Sequence, residues 1–295
     1  MKLLLLGGGG TLGAFSAGAL EVLLASGWQP DVWIGSSAGA INLLRNFAAG
    51  PRGPDAFWRG IGPMMVLRHL LTHDPRDGLL DARRFLRRVD EGVDYERLFH
   101  DERIFAFVVV DLLTGRVCVR SNRTERSPEA LRTVAHAAFA LPPLLPPIPL
   151  GNELLSDGGL LQNAPLDVAV ELGATEIVYL NNVHALPHAG FQRSSILRNT
   201  ARYADVFFRR ASNVGFADAA IVEGRYRGVP FLTIAPPAHL GIGAMLRWML
   251  PTVNAMERLV EEGRRSARQA LAGATAAISS PTTATAAPSS FLPST

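Results

Sequence analysis

A serine in a tight glycine turn is the first residue of this sequence whose setting points to chemistry. The stretch GSSAG at residues 35–39 matches the pattern G-x-S-x-G and follows a short apolar run that ends at Ile34. Where such a turn joins a strand to a helix, strained backbone angles lift the serine hydroxyl clear of the sheet, and small neighbours are needed because the turns crowd each other. We predict that Ser37 is a nucleophile and that Gly35 and Gly39 permit its turn.

A glycine loop, GGGGTLG at residues 7–13, lies between the first apolar run and a helical pattern. Glycines let a backbone approach a ligand closely, and free N–H groups can receive the negative oxygen that forms when a nucleophile attacks a carbonyl. We therefore predict an oxyanion hole built from the backbone of this loop. Its glycines are Gly8, Gly9, Gly10 and Gly13.

The same loop also satisfies G-x-G-x-x-G, the fingerprint of dinucleotide-binding folds. That interpretation requires an acidic residue at the far end of the second strand, where it can bind a ribose. The glycine and serines of residues 35–37 occupy this position, and the nearby Asp31 lies at the start of the strand. A nucleotide site and a turn without any ligand are both minority alternatives.

An aspartate followed by two glycines supplies the third candidate. Asp157 precedes Gly158 and Gly159 and follows the short apolar run 153–155. Most Asp-Gly-Gly sequences are simple turns, although glycines also let another backbone approach the carboxylate closely. Taken alone, this motif does not assign a role to Asp157.

Strands and helices alternate along the chain. Residues 2–6 form a continuous apolar run, typical of a strand buried on both faces of a parallel sheet, and a helical pattern runs from 13 to 26. Further predicted elements are strands at 31–34 and 175–181, a hairpin of 104–111 and 116–121, and helices at 40–48, 129–140 and 166–172, with the proline-rich stretch after residue 140 extended. This alternation predicts an α/β fold of three α/β/α layers with a mainly parallel central sheet, whose active site lies beyond the carboxyl ends of the strands.

Composition bounds the class of protein. With 295 residues, 48% of them hydrophobic and 19% charged, the chain can bury one large core. We predict a hydrolase domain at residues 1–272 and, where the composition collapses to Ala, Ser, Thr and Pro, a disordered tail at 273–295.

The net charge of +3 comes without a long basic run, so no nucleic-acid partner is predicted. A cluster of arginines is interpreted as the solvated face of a helix, and it consists of Arg83, Arg84, Arg87 and Arg88.

Signals for metals, disulfides and membrane spans are sparse. The single Cys118 excludes an internal disulfide, and no spacing of Cys and His suggests a zinc site, so we predict no metal and no cofactor. The most apolar stretch, 135–150, carries prolines that argue against a membrane-spanning helix. These signals fit a reducing cytoplasm, with peripheral contact to a membrane left open.

Taken in order, the three motifs resemble those of the patatin-like phospholipase family, in its bacterial type, over most of residues 2–182. The flanking stretches AHAAFALPPLLPPIPL and LLQNAPLDVAVELGATEIVYL are similar too. The resemblance implies a patatin-like fold and a lipid acyl hydrolase, similar to phospholipase A, that acts on an acyl ester or phospholipid. It also implies a dyad in which Asp157 activates Ser37, an acyl-enzyme, and the glycine loop as oxyanion hole. Because aspartate is a weaker base than histidine, we expect Asp157 to be buried.

One position departs from the family pattern. Many relatives carry Arg or Lys in the glycine loop where this chain has Leu12. Leucine carries no charge, so this side chain gives an oxyanion no electrostatic help, whereas backbone N–H donors are unaffected.

Several alternatives stay open. A Ser-Asp-His triad would use His184 or His188, although the resemblance favours the dyad. An esterase or thioesterase acting on soluble acyl substrates is another function, and so is a non-catalytic binder of nucleotides or lipids. The stretches 56–71 and 239–250 mix Trp, Met and Leu with single arginines, which is typical of core helices but also of an acyl-binding lid or a membrane contact. The oligomeric state is left unassigned.

Overall fold

The centre of the fold is a mixed β-sheet. A computed structural model of the protein describes residues 1–61, 78, 80–183, 221–237 and 253–279, together with the isolated positions 199, 203, 206 and 210. The described strands are β1 (Lys2–Leu6), β2 (Val32–Gly35), β3 (Ile104–Asp111), β4 (Val117–Ser121), β5 (Ile148–Leu150), β6 (Glu153–Asp157), β7 (Glu176–Leu180), β8 (Ile221–Val222), β9 (Arg225–Tyr226) and β10 (Val229–Ile234). They are ordered β5-β6-β3-β2-β1-β7-β10-β9-β8, with β4 paired to β3.

Parallel pairing joins β3, β2, β1, β7 and β10 in the middle of the sheet. The apolar runs of β1 and β7 are buried along almost their whole length, because strands covered on both faces have no solvent side that would favour polar residues. The prediction of a mainly parallel central sheet is therefore confirmed. Antiparallel strands extend the sheet at both ends, and β3 with β4 forms the predicted hairpin.

Helices cover both faces of the sheet. They are α1 (Gly13–Ala25), α2 (Ala38–Ala49), α3 (Gly53–Arg59), α4 (Ala82–Asp90), α5 (Tyr95–His100), α6 (Pro128–Ala137), α7 (Leu166–Glu171) and α8 (Val253–Ser279), with a 3-10 turn at Gly10–Leu12. Leu4 and Leu6 of β1 enter one core with α1, α2 and α8, whereas Leu3 and Leu5 enter a second core with α7. This alternation produces the three predicted α/β/α layers. None of the described helices combines the length and apolarity of a membrane-crossing segment.

Two predictions concern particular segments of the chain. The stretch after residue 140 is not simply extended, because the N–H groups of Leu144 and Leu145 donate to the carbonyl of Leu141 and close a turn before β5. The boundary predicted at residue 272 falls within α8. Residues 280–295 lie outside the described part of the chain, so the disordered tail stays a prediction.

The arginines of α4 do not all behave alike. Arg83, Arg84 and Arg87 are exposed, as expected for a solvated face. The guanidinium of Arg88 instead lies 5.7 Å from the ring centroid of Phe57, and its Nη2 donates to the Phe57 carbonyl. One member of the cluster therefore packs α4 against α3.

Helices α1 and α8 pack at unusually close range. A Cβ placed on Gly18 of α1 would lie 1.9 Å from the carbonyl oxygen of Val260, and one placed on Gly263 of α8 would lie 1.9 Å from the carbonyl oxygen of Phe15. No methyl group fits at either contact. The absence of side chains at these two positions thus sets the distance between the two helices.

We expect Gly263→Ala to lower the free energy of unfolding by about 1–3 kcal/mol, because the helices must separate to admit the methyl group. Gly273→Ala in the same helix is the matched control, since a Cβ there meets nothing within 4 Å. The control should gain up to about 1 kcal/mol from helix propensity. Urea unfolding followed by circular dichroism measures both, and equal effects at the two positions would contradict the packing argument.

Candidate active site

Ser37 occupies the strained turn between β2 and α2. Its φ of 51° and ψ of −122° lie where residues with a side chain are rare, at a cost of about 1–3 kcal/mol. A Cβ on Gly39 would lie 1.9 Å from the carbonyl oxygen of Leu6, and one on Gly35 would lie 2.7 Å from the Cα of Ala40. Both glycines are therefore needed for this strand-turn-helix geometry, for the crowding reason that the sequence suggested.

Asp157, the last residue of β6, is 5% exposed, and its carboxylate faces Ser37. Burial raises the pKa of this carboxyl to about 7, whereas hydrogen bonds from the Ser37 side chain and the Gly159 N–H act in the opposite direction. The Gly159 bond to Oδ1 measures 2.8 Å. The expected burial of Asp157 is confirmed.

The register of β3 brings these two residues together. Gly35 at the end of β2 pairs with Phe107, and Asp157 at the end of β6 pairs with Val109. These two positions of β3 are about 7 Å apart, so β3 holds the carboxyl ends of β2 and β6 close to each other. Residues that are far apart in sequence thus meet at the carboxyl edge of the parallel strands, where ligand sites of open α/β sheets lie.

The segment after α6 ties the two ends together a second time. The Ser37 N–H donates to the carbonyl of Ala138 over 2.8 Å, and the Asp157 N–H donates to the carbonyl of Ala140 over 3.1 Å. The Ser156 hydroxyl also donates to Ala140, over 2.6 Å. Backbone bonds of this kind fix the serine turn relative to the carboxylate without constraining the side chains of the segment.

The glycine loop lies directly against the serine. A Cβ on Gly8 would lie 2.7 Å from the Cβ of Ser37, so only glycine allows this approach. Gly9 and Gly10 have positive φ values of 151° and 55°, which glycine adopts readily. The structure therefore places the start of the predicted oxyanion loop beside the predicted nucleophile.

Two of the four predicted oxyanion donors are engaged elsewhere in this structure. The Gly8 N–H donates to Asn163 Oδ1 over 2.6 Å, and the Gly13 N–H donates to the carbonyls of Gly10 and Thr11. A Cβ on Gly13 would lie 2.5 Å from Cζ2 of Trp58. The close contact with Trp58 therefore explains why residue 13 is a glycine. The sequence alone could not distinguish a glycine needed for packing from one that donates an N–H.

Two other N–H groups at this edge are candidates for binding an oxyanion. Within the described part of the chain, those of Gly10 and Ala38 donate to no acceptor. Ala38 follows the serine at the start of α2, where the first N–H groups of a helix have no partner within it. The residue after the nucleophile is also a recurrent donor in α/β hydrolases.

Buried side-chain amides hold the ends of the glycine loop, and the sequence analysis missed them. Asn182 Nδ2 donates to the carbonyl of Gly7 over 2.7 Å, and Asn42 Nδ2 donates to that of Gly13 over 2.9 Å. Trp58 Nε1 donates in turn to Asn42 Oδ1 over 2.6 Å. A single asparagine at helical or strand spacing carries no local signal for such a role.

Trp58 also settles part of the question about residues 56–71. Phe57 is 3% and Trp58 2% exposed, so the core alternative is confirmed for these side chains and a membrane contact through Trp58 is wrong. Residues 62–71 and 239–250 lie outside the described residues.

Histidines in the described ranges face other carboxylates. His136 Nε2 lies 2.8 Å from Asp90 Oδ1, and His100 Nε2 lies 3.6 Å from Glu96 Oε2. His184 lies just past the described segment that ends at Val183, and His188 is outside it as well. Across the described segments, no group of three or more His, Cys, Asp and Glu side chains is arranged to hold a metal ion.

Comparison with known proteins gives the family. The family model described as patatin-like phospholipase matches residues 4–170. Since this match covers more than half of the chain, the protein belongs to the patatin-like phospholipase family, and its fold is the patatin-like α/β/α fold.

Individual relatives are distant and longer. An uncharacterised NTE family protein of Mycobacterium tuberculosis is 31% identical over 172 residues, which cover 56% of this chain and 27% of that protein. Another from the same species is 29% identical over 184 residues, covering 59% and 49%. Among solved structures, VipD from Legionella pneumophila aligns with 92% of this chain and 67% of its own, at 15% identity and a TM-score of 0.45. The chain thus spans at most about half the length of these two curated relatives.

Proposed function

We propose that this protein is a serine acyl hydrolase that cleaves carboxylic esters of lipids through a Ser37–Asp157 dyad. The observation that carries the proposal is the buried Asp157 carboxylate, with its pKa near 7 and hydrogen-bonded to a serine in a strained strand-to-helix turn. A base with a pKa close to neutral combines availability with the strength needed to accept a proton. Membership of the family supports a lipid ester as substrate.

In the first step, Asp157 accepts the proton of the Ser37 hydroxyl as Ser37 Oγ attacks the ester carbonyl. The strained turn of a nucleophile elbow, with its glycines Gly35 and Gly39, keeps the hydroxyl clear of the sheet, so a substrate can reach it. The carbonyl oxygen becomes an oxyanion as the C–O double bond opens.

The N–H groups of Gly10 and Ala38 are the proposed donors to this oxyanion. The Gly10 N–H belongs to the glycine loop, whose Gly8 packs on the serine, and the Ala38 N–H lies at the start of α2, directly after Ser37. Backbone donors that are held in place before the reaction stabilise the developing charge without reorganising. Of the four glycines expected from the sequence, this proposal keeps Gly10 as a donor. It replaces Gly8 and Gly13 by Ala38 and gives Gly9 no donor role.

The tetrahedral intermediate then collapses. The bond to the alcohol breaks, Asp157 returns its proton to the leaving alkoxide, and the acyl group remains on Ser37. A water molecule, deprotonated by Asp157, attacks the acyl-enzyme, and the fatty acid leaves while Ser37 regains a proton. One carboxyl group thus acts as base and acid in each half of the cycle.

Esters of soluble alcohols or thiols would be cleaved by the same machinery. Rates on p-nitrophenyl esters of increasing chain length, followed by phospholipid, distinguish a lipid hydrolase from an esterase for short acyl groups. A non-catalytic binder of lipids or nucleotides would hydrolyse none of them.

Ser37→Ala and Asp157→Asn are each expected to lower kcat on p-nitrophenyl esters by about three orders of magnitude, because each removes one half of the dyad. His184→Ala and His188→Ala, at the positions of the alternative triad, should stay within about twofold of wild type. Steady-state kinetics of the four variants make the comparison. If either histidine variant loses as much activity as Asp157→Asn, the dyad is wrong.

Activity should depend on pH through Asp157. The carboxylate is the active form, so kcat/KM should fall about tenfold per pH unit below a midpoint near the pKa of about 7. Activity is then retained above this pH and lost on acidification. Initial rates on a soluble ester between pH 5 and 9 test the prediction. A midpoint near 4, the ordinary value for an aspartate, would contradict a buried catalytic carboxylate.

A further inference from the structure

Asn163 contacts the glycine loop from the turn that follows Asp157. Its side chain is 2% exposed, and its Oδ1 accepts the Gly8 N–H over 2.6 Å across 155 residues of sequence. The intervening turn is compact, because the N–H groups of Leu161 and Gln162 both donate to the carbonyl of Gly158. A single short segment therefore carries both the carboxylate and this amide.

The two side chains converge on the same point. The Cβ position of Gly159 lies 3.0 Å from Asp157 Oδ1 and 3.4 Å from Asn163 Oδ1. The Cβ position of Gly8 lies 2.7 Å from the Cβ of Ser37 and 3.1 Å from Asn163 Oδ1. Asn163 thus lies between the base and the part of the glycine loop that packs on the nucleophile.

We propose that Asn163 is a positioning residue that fixes the glycine loop relative to the Ser37–Asp157 pair, an inference that rests on the proposed function. By accepting the Gly8 N–H, it sets the orientation of the peptide group between Gly7 and Gly8. The direction of the N–H groups that follow in the loop depends on that orientation. Because this hydrogen bond joins the turn after Asp157 to the glycine loop, it fixes the position of the base relative to the oxyanion loop.

A neutral amide suits this place better than a carboxylate. An aspartate could accept the same N–H, but it would bring a second negative charge close to Asp157 and to the developing oxyanion. Like charges at this range favour the protonated form of their neighbour. In the native protein the Asp157 pKa is set by burial and by hydrogen bonds from the Ser37 hydroxyl and the Gly159 N–H. No charged side chain in the described part of the chain contributes to it.

The test compares Asn163→Ala, Asn163→Asp and wild type on a soluble p-nitrophenyl ester. Asn163→Ala should lower kcat by about 10- to 100-fold with KM within about twofold, because the glycine loop loses the orientation that the reaction needs. Asn163→Asp should keep more activity than Asn163→Ala at high pH, since it restores the acceptor. The acid limb of its pH–rate profile, where kcat/KM falls as the pH drops, should move upward by about one pH unit.

Asn122→Asp is the matched control. Asn122 is equally buried, and its Oδ1 accepts the Phe105 N–H over 2.9 Å at the opposite end of β3. This variant should lose stability in thermal unfolding but keep the wild-type kcat and acid limb, which separates a positioning effect from general destabilisation.

Wild-type kcat in Asn163→Ala, or an acid limb in Asn163→Asp that coincides with wild type, overturns the inference. If Asn163→Asp does not fold, the kcat and KM of Asn163→Ala decide alone. A wild-type protein that turns over no ester is a different failure, because it contradicts the proposed function before any Asn163 variant is compared.

Discussion

Burial of the Asp157 carboxylate against the Ser37 hydroxyl is the constraint on which the rest of the site depends. Burial raises the pKa of this carboxyl to about 7, and in the proposed mechanism this pKa is what lets an aspartate serve as the base in place of a histidine. The arrangement is costly, because an ionised group is poorly solvated there and the serine backbone is strained. The stability of the fold, whose central strands are buried on both faces, must offset both costs.

That fold holds the pair mainly through backbone contacts. Strand β3 pairs with the end of β2 and with the end of β6, and the carbonyls of Ala138 and Ala140 accept N–H groups from Ser37 and Asp157. Backbone contacts of this kind tolerate sequence change at every position where the side chain points elsewhere. The glycines are the exceptions, since Gly8, Gly35 and Gly39 lie where no Cβ fits.

Much of the fold could be predicted because its signals are local. Continuous apolar runs mark β1 and β7, and the serine turn is a short pattern between a strand and a helix. The proximity of Ser37 and Asp157 was accessible only through resemblance to a family, since nothing within either motif specifies its partner.

The remaining features depend on tertiary contacts that a linear pattern does not encode. Asn163 and Asn42 are polar residues in otherwise apolar surroundings, and their roles appear only once the glycine loop lies against them. Gly13 shows why a glycine is ambiguous in a sequence, because a glycine required for packing against Trp58 looks the same there as one that donates an N–H. Trp58, with an indole that suited a lid or a membrane contact, is a core residue that donates to Asn42.

The central claim is that Ser37 is a nucleophile activated within this fold, and covalent labelling tests it most directly. The folded protein is treated with a fluorophosphonate at pH 8, and the adduct is located by peptide mass spectrometry in wild type and in Ser37→Ala. The account predicts a single adduct on the peptide that contains Ser37 and none in the variant. An unlabelled wild-type protein, or an adduct at another residue that persists in Ser37→Ala, would contradict it.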